Sequence, residues 1–273
     1  MQYSLKEILD LAEKGGFAVP AFNVYNLETL MGVVNAAKET NAPIIIQMYS
    51  RLFNTDAGRM LSPVIVSLMN EIKSPVAFHL DHGAGISECT RAIRYGTTGV
   101  MIDASTLPLD DNIETTKKAV DLAKEVGVSV EGELGHIGST KDETWDSYTE
   151  VEDAIKYVNE TGIDALAIMV GTAHGKYAQA PILAIDRIAE IHAAINAHLV
   201  LHGGSGVPDD QITAAVKAGI RKINFGTDVC YAFIDGYKEL DPYSRPLDVT
   251  MATVSENVKA FAIEKIKLLG AME

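Results

Sequence analysis

The chain has 273 residues, 47% apolar and 22% charged, enough to bury a large core as one α/β barrel or as two smaller domains. Its 23 basic and 37 acidic residues give a formal net charge of −14, which argues against nucleic acid or an anionic membrane as the main partner. Cys89 and Cys230 lie far apart and form no CxxC, residues 1–7 carry no apolar leader, and no apolar run is long enough to span a bilayer. A cytoplasmic protein is expected.

Ser4 and Glu7 have capping-box spacing for a helix over 4–14, stopped by Gly15-Gly16. A first strand follows over 17–22 and ends in Asn23. Asn26 can cap a helix from 27 to about 39, with Leu27, Leu30, Met31, Val34 and Ala37 on one face. The second strand covers 44–48, with Ser50 just past it. Residues 51–58 read as a polar loop and 61–72 as a helix carrying Pro63 in its first turn. A third strand over 76–80 breaks into Asp81-His82-Gly83, and a helix over 87–95 stops at Gly96.

The fourth strand, 99–102, ends in Asp103; a helix over 109–126 stops at Gly127, and the fifth strand, 128–133, ends in Glu133. Residues 136–150 are polar and aperiodic, the signature of a long loop. After a helix over 152–160, the sixth strand, 165–170, leads into Gly171-Thr172-Ala173-His174-Gly175. A helix over 185–195 precedes the seventh strand, 198–201, which runs into His202-Gly203-Gly204-Ser205-Gly206. A helix over 208–218 precedes the eighth strand, 222–225, which ends in Gly226-Thr227-Asp228, and the remainder is helical. Eight strands, each followed by a helix and with no linker between them, predict a single (β/α)8 barrel over residues 1–273.

In such a barrel the C-terminal strand ends converge on one face, where active sites lie. Those ends carry Asn23, Ser50, Asp81, His82, Asp103, Glu133, His174, His202 and Asn224. His192 and His198 fall elsewhere and read as structural, and His79, inside a strand, as a core histidine. His82, His174 and His202 remain, and three imidazoles with an open fourth position suit a catalytic zinc ion. The plain alternative is three unrelated polar strand ends. Asp103 and Glu133 are open between alternate metal ligands, partners that orient the histidines, and ordinary salt-bridge residues. Glycines and hydroxyls at the ends of strands seven and eight form the usual barrel phosphate site.

The segments VPAFNVYN, HLDHG, GVMIDAS, VEGELG, GTAHGKY, LHGGSGV and KINFGTD run along nearly the whole chain. Together they resemble the class II, metal-dependent fructose- and tagatose-bisphosphate aldolases. The resemblance implies zinc on His82, His174 and His202, with Asp103 and Glu133 at a second or alternate metal position. It implies Asp81 as the proton-transfer group and Asn224 as a contact to the enediolate. Gly175, Gly203, Gly204, Ser205 and the Gly226-Thr227-Asp228 turn would surround the 1-phosphate, with a monovalent cation, and Asn23 and Ser50 would add substrate contacts. It further implies a small phosphorylated sugar as substrate, no nucleic-acid or membrane partner, and a homodimer or homotetramer.

The chain departs from that pattern twice. After strand five, Gly138-Ser139-Thr140-Lys141-Asp142-Glu143 puts Lys141 where an acid is expected, leaving Glu143 or Asp142 to replace it. Ala178 follows Tyr177 where relatives that cleave bisphosphates carry a lysine, and Asp241-Pro242-Tyr243-Ser244-Arg245 replaces an Asp-Pro-Arg. Lys176 or Arg245 could compensate, and a ketose 1-phosphate or an unusual bisphosphate is the expected substrate. The competing readings are another zinc-dependent sugar-phosphate barrel enzyme, an epimerase or hydrolase, and a non-catalytic partner subunit.

Overall fold

The structure is a computed structural model and describes residues 2–140, 148–241 and 243–272. Its strands are β1 (Val19–Asn23), β2 (Ile44–Tyr49), β3 (Val76–Gly83), β4 (Gly99–Ile102), β5 (Ser129–Leu134), β6 (Ala165–Ile168), β7 (His198–Leu201) and β8 (Ile220–Phe225). All pair in parallel in sequence order, and β8 pairs back to β1, closing the (β/α)8 barrel. The helices are α1 (Leu5–Gly15), α2 (Leu27–Thr40), α3 (Ser50–Phe53), α4 (Asp56–Met69), α5 (Ile86–Arg94), α6 (Leu109–Lys124), α7 (Val151–Thr161), α8 (Ile185–Ala194), α9 (Asp209–Ala218), α10 (Thr227–Lys238) and α11 (Leu247–Leu268). No helix among the described residues is long and apolar enough to cross a membrane.

Two apolar layers hold the barrel. The outer one lies between strands and helices and includes Phe22, Ile44, Ile46, Phe78 and Val100. The inner one fills the bottom of the barrel with Val19, Ala21, Ile45, Ala77, Ala165, Ala167 and Val200. Helix α1 closes it from below with Leu5, Ile8, Leu9 and Ala12. The Ser4–Glu7 capping box sets that helix: Ser4 N donates to Glu7 at 2.8 Å and Glu7 N to Ser4 Oγ at 3.2 Å. His198 and His192 anchor the same helix, 2.8 Å from Asp10 and 3.3 Å from Glu13. Both histidines are structural, as their positions predict.

The clearest departure is over residues 50–69. Where a polar loop is expected, α3 and α4 form, because Thr55 Oγ1 caps α4 by accepting from Gly58 N at 3.2 Å. Pro63 therefore lies inside the helix rather than in its first turn. Its missing N–H removes the donor for the Arg59 carbonyl one turn back. Strand β8 also begins two residues earlier than expected, so Lys222 lies within it.

Strand β5 is braced from outside. The side chain of Tyr157, fully buried on α7, donates to Asn112 Oδ1 at 3.0 Å and lies 2.8 Å from Thr116 Oγ1 on α6. Asn112 Nδ2 in turn donates to the Glu133 carbonyl at 2.9 Å. Gly132 leaves room for the phenol, since a Cβ there would sit 2.5 Å from Tyr157 Oη. Tyr157→Phe keeps the packing and deletes the hydroxyl, so it should cost about 1–2 kcal/mol of stability. A guanidinium titration should show a lower midpoint at unchanged slope; an unmoved midpoint would show the hydroxyl to be dispensable.

Candidate active site

Successive strand residues face opposite sides, so adjacent Asp81 and His82 cannot both enter a regular barrel. Strand β3 resolves this with a bulge: its register against β4 slips between Leu80 and Gly83. His82 takes a φ of 51°, in the left-handed region that side chains avoid. Gly83 then packs where a Cβ would meet Met101 O at 2.5 Å. As a result Asp81 and His82 both line the cavity at the top of the barrel.

His174 enters from the loop after β6, which is tied to the loop after β5 by His174 N→Gly138 O at 2.8 Å and Thr140 N→His174 O at 2.9 Å. His202 follows β7 directly and is fully buried. The three rings stand edge to face, with centroids 4.9 Å (His82–His174), 4.8 Å (His82–His202) and 5.8 Å (His174–His202) apart. One ligand atom from each lies within 4.8 Å of the others.

The second nitrogen of each ring is engaged elsewhere. His82 Nδ1 pairs with Asp103 Oδ2 at 2.8 Å, His174 Nδ1 with the Ile137 carbonyl at 2.9 Å, and His202 Nε2 with Glu131 Oε1 at 2.8 Å. His202 Nδ1 is buried with no hydrogen bond and lies 3.4 Å from Glu133 Oε2. Orienting partners behind each imidazole, with free nitrogens converging in front, are what a metal-ligand set requires. The donor set therefore fits a divalent cation with affinity for nitrogen.

Electrostatics favour the same reading. Burial, with His82 and His202 close by, pulls the His174 pKa down to about 4, and burial also lowers that of His202. Burial opposes charge on His82 too, but Asp81 and Asp103 outweigh it and push its pKa up to about 9. The acids close to His82 thus hold a positive charge at the centre of the site. His82, Asp103 and Glu133 form a second group that could hold a metal. Burial raises the Glu133 carboxyl to about 8.

Asp81 is fixed from two sides. Asn23 Nδ2 donates to Oδ2 at 2.8 Å and Asn224 Nδ2 to Oδ1 at 3.1 Å. Gln47 Nε2 in turn holds Asn23 Oδ1 at 2.8 Å. Burial would raise the Asp81 pKa, yet His82, His202 and Lys222 lower it, so the carboxylate is ionised. Asp81 Oδ1 lies 3.9 Å from His82 Nε2.

The cavity measures about 810 Å³. Asn23, Asp81 and Asn224 form one part of its wall; Gly175, Gly203, Ser205, Gly226 and Thr227 form another. α10 opens there on Gly226, which supplies no side-chain cap; of its first-turn N–H groups, that of Asp228 is taken by Ser205 Oγ at 3.1 Å. Tyr177 Oη staples the two glycine turns, 2.8 Å from Ala173 O and 2.9 Å from Gly203 O.

Other expected residues lie behind the wall. Gly204 packs on Ile223, where a Cβ would come within 2.5 Å. Asp228 locks the turn, accepting from Gly206 N at 3.2 Å while its own N–H donates to Ser205 Oγ at 3.1 Å. Ser50 starts α3 and does not line the cavity; its neighbours Tyr49 and Arg51 do. Lys176 lines the cavity and Arg245 does not. Asp142 and Glu143 fall outside the described residues.

Sequence reading missed Glu131 and Lys222, both fully buried inside the barrel. The available signal was the period of two: each sits two residues before a site residue, Glu133 and Asn224.

Comparison with known proteins agrees with this geometry. The family described as "Fructose-bisphosphate aldolase class-II" matches residues 3–273. A curated sulfofructosephosphate aldolase from Alkalicoccus urumqiensis is 37% identical over 97% of this chain and 96% of its own length. The crystal structure of the YdjI aldolase from Escherichia coli K12 superposes with a TM-score of 0.91 at 34% identity, covering 100% of this chain and 98% of that one. A putative fructose-1,6-bisphosphate aldolase from Coccidioides immitis, at 24% identity and TM-score 0.91, shares the fold over 98% of this chain and 96% of its own. With a family match across nearly its whole length, the chain belongs to the class II fructose-bisphosphate aldolases.

Proposed function

We propose that this class II aldolase cleaves a ketose 1-phosphate to dihydroxyacetone phosphate and an aldehyde, using a zinc ion held by His82, His174 and His202. The observation that carries the reading is the convergence of three imidazoles, each with its rear nitrogen already engaged. A bound zinc ion would act as a Lewis acid toward the negative charge left on the three-carbon fragment.

The protein's own groups have separate tasks. Asp81, ionised and held by two amides, takes the proton from the C4 hydroxyl as the C3–C4 bond breaks. Asn224, on the same wall, contacts the enediolate oxygens. Gly203, Ser205, Gly226 and Thr227 receive the 1-phosphate beside the open end of α10. The proton returned to the three-carbon fragment is assigned to Glu143 or Asp142. Arg51, packed 5.8 Å over the Tyr49 ring, and Lys176 are the basic side chains for the far end of the sugar. The enzyme would act in the cytoplasm as a homodimer or homotetramer.

Chelation should abolish cleavage and Zn²⁺ should restore it. Lys222 is fully buried and does not line the cavity, and Lys176, the one lysine among the described residues that does, is assigned above to the far end of the sugar, so metal chemistry is expected rather than a Schiff base. Borohydride trapping of substrate on a lysine would sink this assignment. Asp81→Ala should retain zinc but lose ~10²–10⁴-fold in cleavage, the usual cost of a missing general base. Metal analysis of the purified variant checks the role: a zinc-free protein would make Asp81 a support of the metal instead.

The substrate follows from the far end. Residue 178 is alanine, Arg245 does not line the cavity, and the curated relative is named for a sulfofructose phosphate rather than a bisphosphate. A panel of ketose 1-phosphates, sulfofructose phosphate and fructose 1,6-bisphosphate should show the last as a poorer substrate by kcat/KM. Fructose 1,6-bisphosphate winning by tenfold, about 1.4 kcal/mol of transition-state preference, would refute the assignment.

A further inference from the structure

Beneath the cavity floor, inside the barrel, lies a charged layer that no substrate reaches. Lys222, Glu131 and His79 are fully buried and none lines the cavity. Lys222 Nζ lies 2.9 Å from Glu131 Oε2 and 3.2 Å from Oε1, and donates to Asn224 Oδ1 at 2.7 Å. Glu131 Oε1 pairs with His202 Nε2 at 2.8 Å, and its Oε2 lies 3.3 Å from His79 Nε2. An ion pair so deeply buried is poor evidence of stability, since apolar residues of equal volume commonly serve as well. Its contacts give it another use.

Two groups in the site are ambiguous by their chemistry. A neutral imidazole carries its proton on either nitrogen, and a primary amide can be turned to present either oxygen or nitrogen. An ionised glutamate only accepts hydrogen bonds, so Glu131 requires the His202 proton on Nε2. That leaves a lone pair on Nδ1, which is buried without a hydrogen bond and has Glu133 Oε2 at 3.4 Å, a carboxyl that burial keeps protonated and that therefore does not require a proton on Nδ1. A lysine ammonium only donates, so Lys222 requires Asn224 Oδ1 and turns the amide NH₂ outward. It is that NH₂ which holds Asp81 Oδ1 at 3.1 Å. Each charge stabilises the other in the barrel, so the two constraints stand or fall together.

We propose that Glu131 and Lys222 are a positioning pair: Glu131 fixes the metal-binding tautomer of His202, and Lys222 fixes the Asn224 amide that orients Asp81. The consequence for catalysis rests on the aldolase reading above, whereas the tautomer and its effect on metal binding do not.

The decisive variant is the double replacement Glu131→Gln with Lys222→Met, which removes both buried charges together and leaves neither stranded. Its metal-free form should melt close to wild type. Its Co²⁺ affinity should fall about 10–100-fold, as for lost partners of metal ligands generally, with an altered cobalt absorption spectrum. Turnover should fall by about tenfold or more, with the loss in kcat rather than KM. Co²⁺ affinity, spectrum and kcat all within threefold of wild type would overturn the proposal. A second measurement needs no folded variant: long-range ¹H–¹⁵N spectra of wild type, zinc-loaded and metal-free, should show His202 protonated at Nε2. Protonation at Nδ1 would overturn it as well. A wild-type protein that cleaves no ketose phosphate would count against the aldolase reading alone, since cobalt binding and the His202 tautomer still decide on the pair.

Discussion

A closed parallel barrel sends every second side chain of every strand into one shared interior, and that constraint governs the rest of this molecule. Below, the shared space is filled with alanine, valine and isoleucine and sealed by α1. Above, strands that continue with polar residues bury Asn23, Gln47, His79, Asp81, Glu131, Glu133, His202, Lys222 and Asn224 in the same interior. Water cannot solvate groups at that depth, so each must find a partner of matching chemistry. Hydrogen bonds link Gln47, Asn23, Asp81, Asn224, Lys222, Glu131 and His202 in one chain, so exchanging one of them strands its partners.

Charge within that network is arranged in tiers. Lys222 and Glu131 neutralise one another at the bottom. Above them, Asp81 and Asp103 are ionised around His82, whose own proton they favour. Glu133 is the outlier, since burial keeps its carboxyl protonated up to about 8. Displacement of the His82 proton by a divalent cation would leave the surrounding acids still matched by positive charge. The proposed phosphate site is served differently, by the start of α10, whose Gly226 N-cap has no side chain, rather than by a cluster of basic side chains. This separation explains how a chain of net charge −14 can accommodate a sugar phosphate: the local field at two points of the cavity matters, and the global one does not.

Much of this was legible in the sequence. The repeat of strand and helix carries the barrel, and β7 and α2 begin where the apolar pattern places them. His82, His174 and His202 were singled out by falling just past strand ends, and they converge. What escaped has definite causes. α3 and the start of α4 were hidden because Thr55-Asp56 was read as loop polarity when it is a helix cap. Lys222 is expected at a strand start, yet β8 begins at Ile220; Arg221 faces outward and pairs with Glu13 at 2.7 Å. The bulge at His82 has no sequence signature beyond Gly83. It is visible only once Asp81 and His82 are both found facing the cavity.

The division of labour in the barrel follows from rigidity. Asp81 and His82 sit on the bulged end of β3 and His202 just past β7, where backbone pairing fixes them, and His174 sits on a loop tied back to the one after β5. Arg51 and Lys176, proposed above for the far end of the sugar, line the cavity from the short helix α3 and from the loop after β6. Loops change without disturbing the buried network, whereas a change in a strand must suit the two strands paired on either side of it. Retro-aldol chemistry is thus held by the part of the fold least free to vary. The identity of the aldehyde is left to the part most free to do so, which is why relatives with the same barrel can bear the names of different sugars.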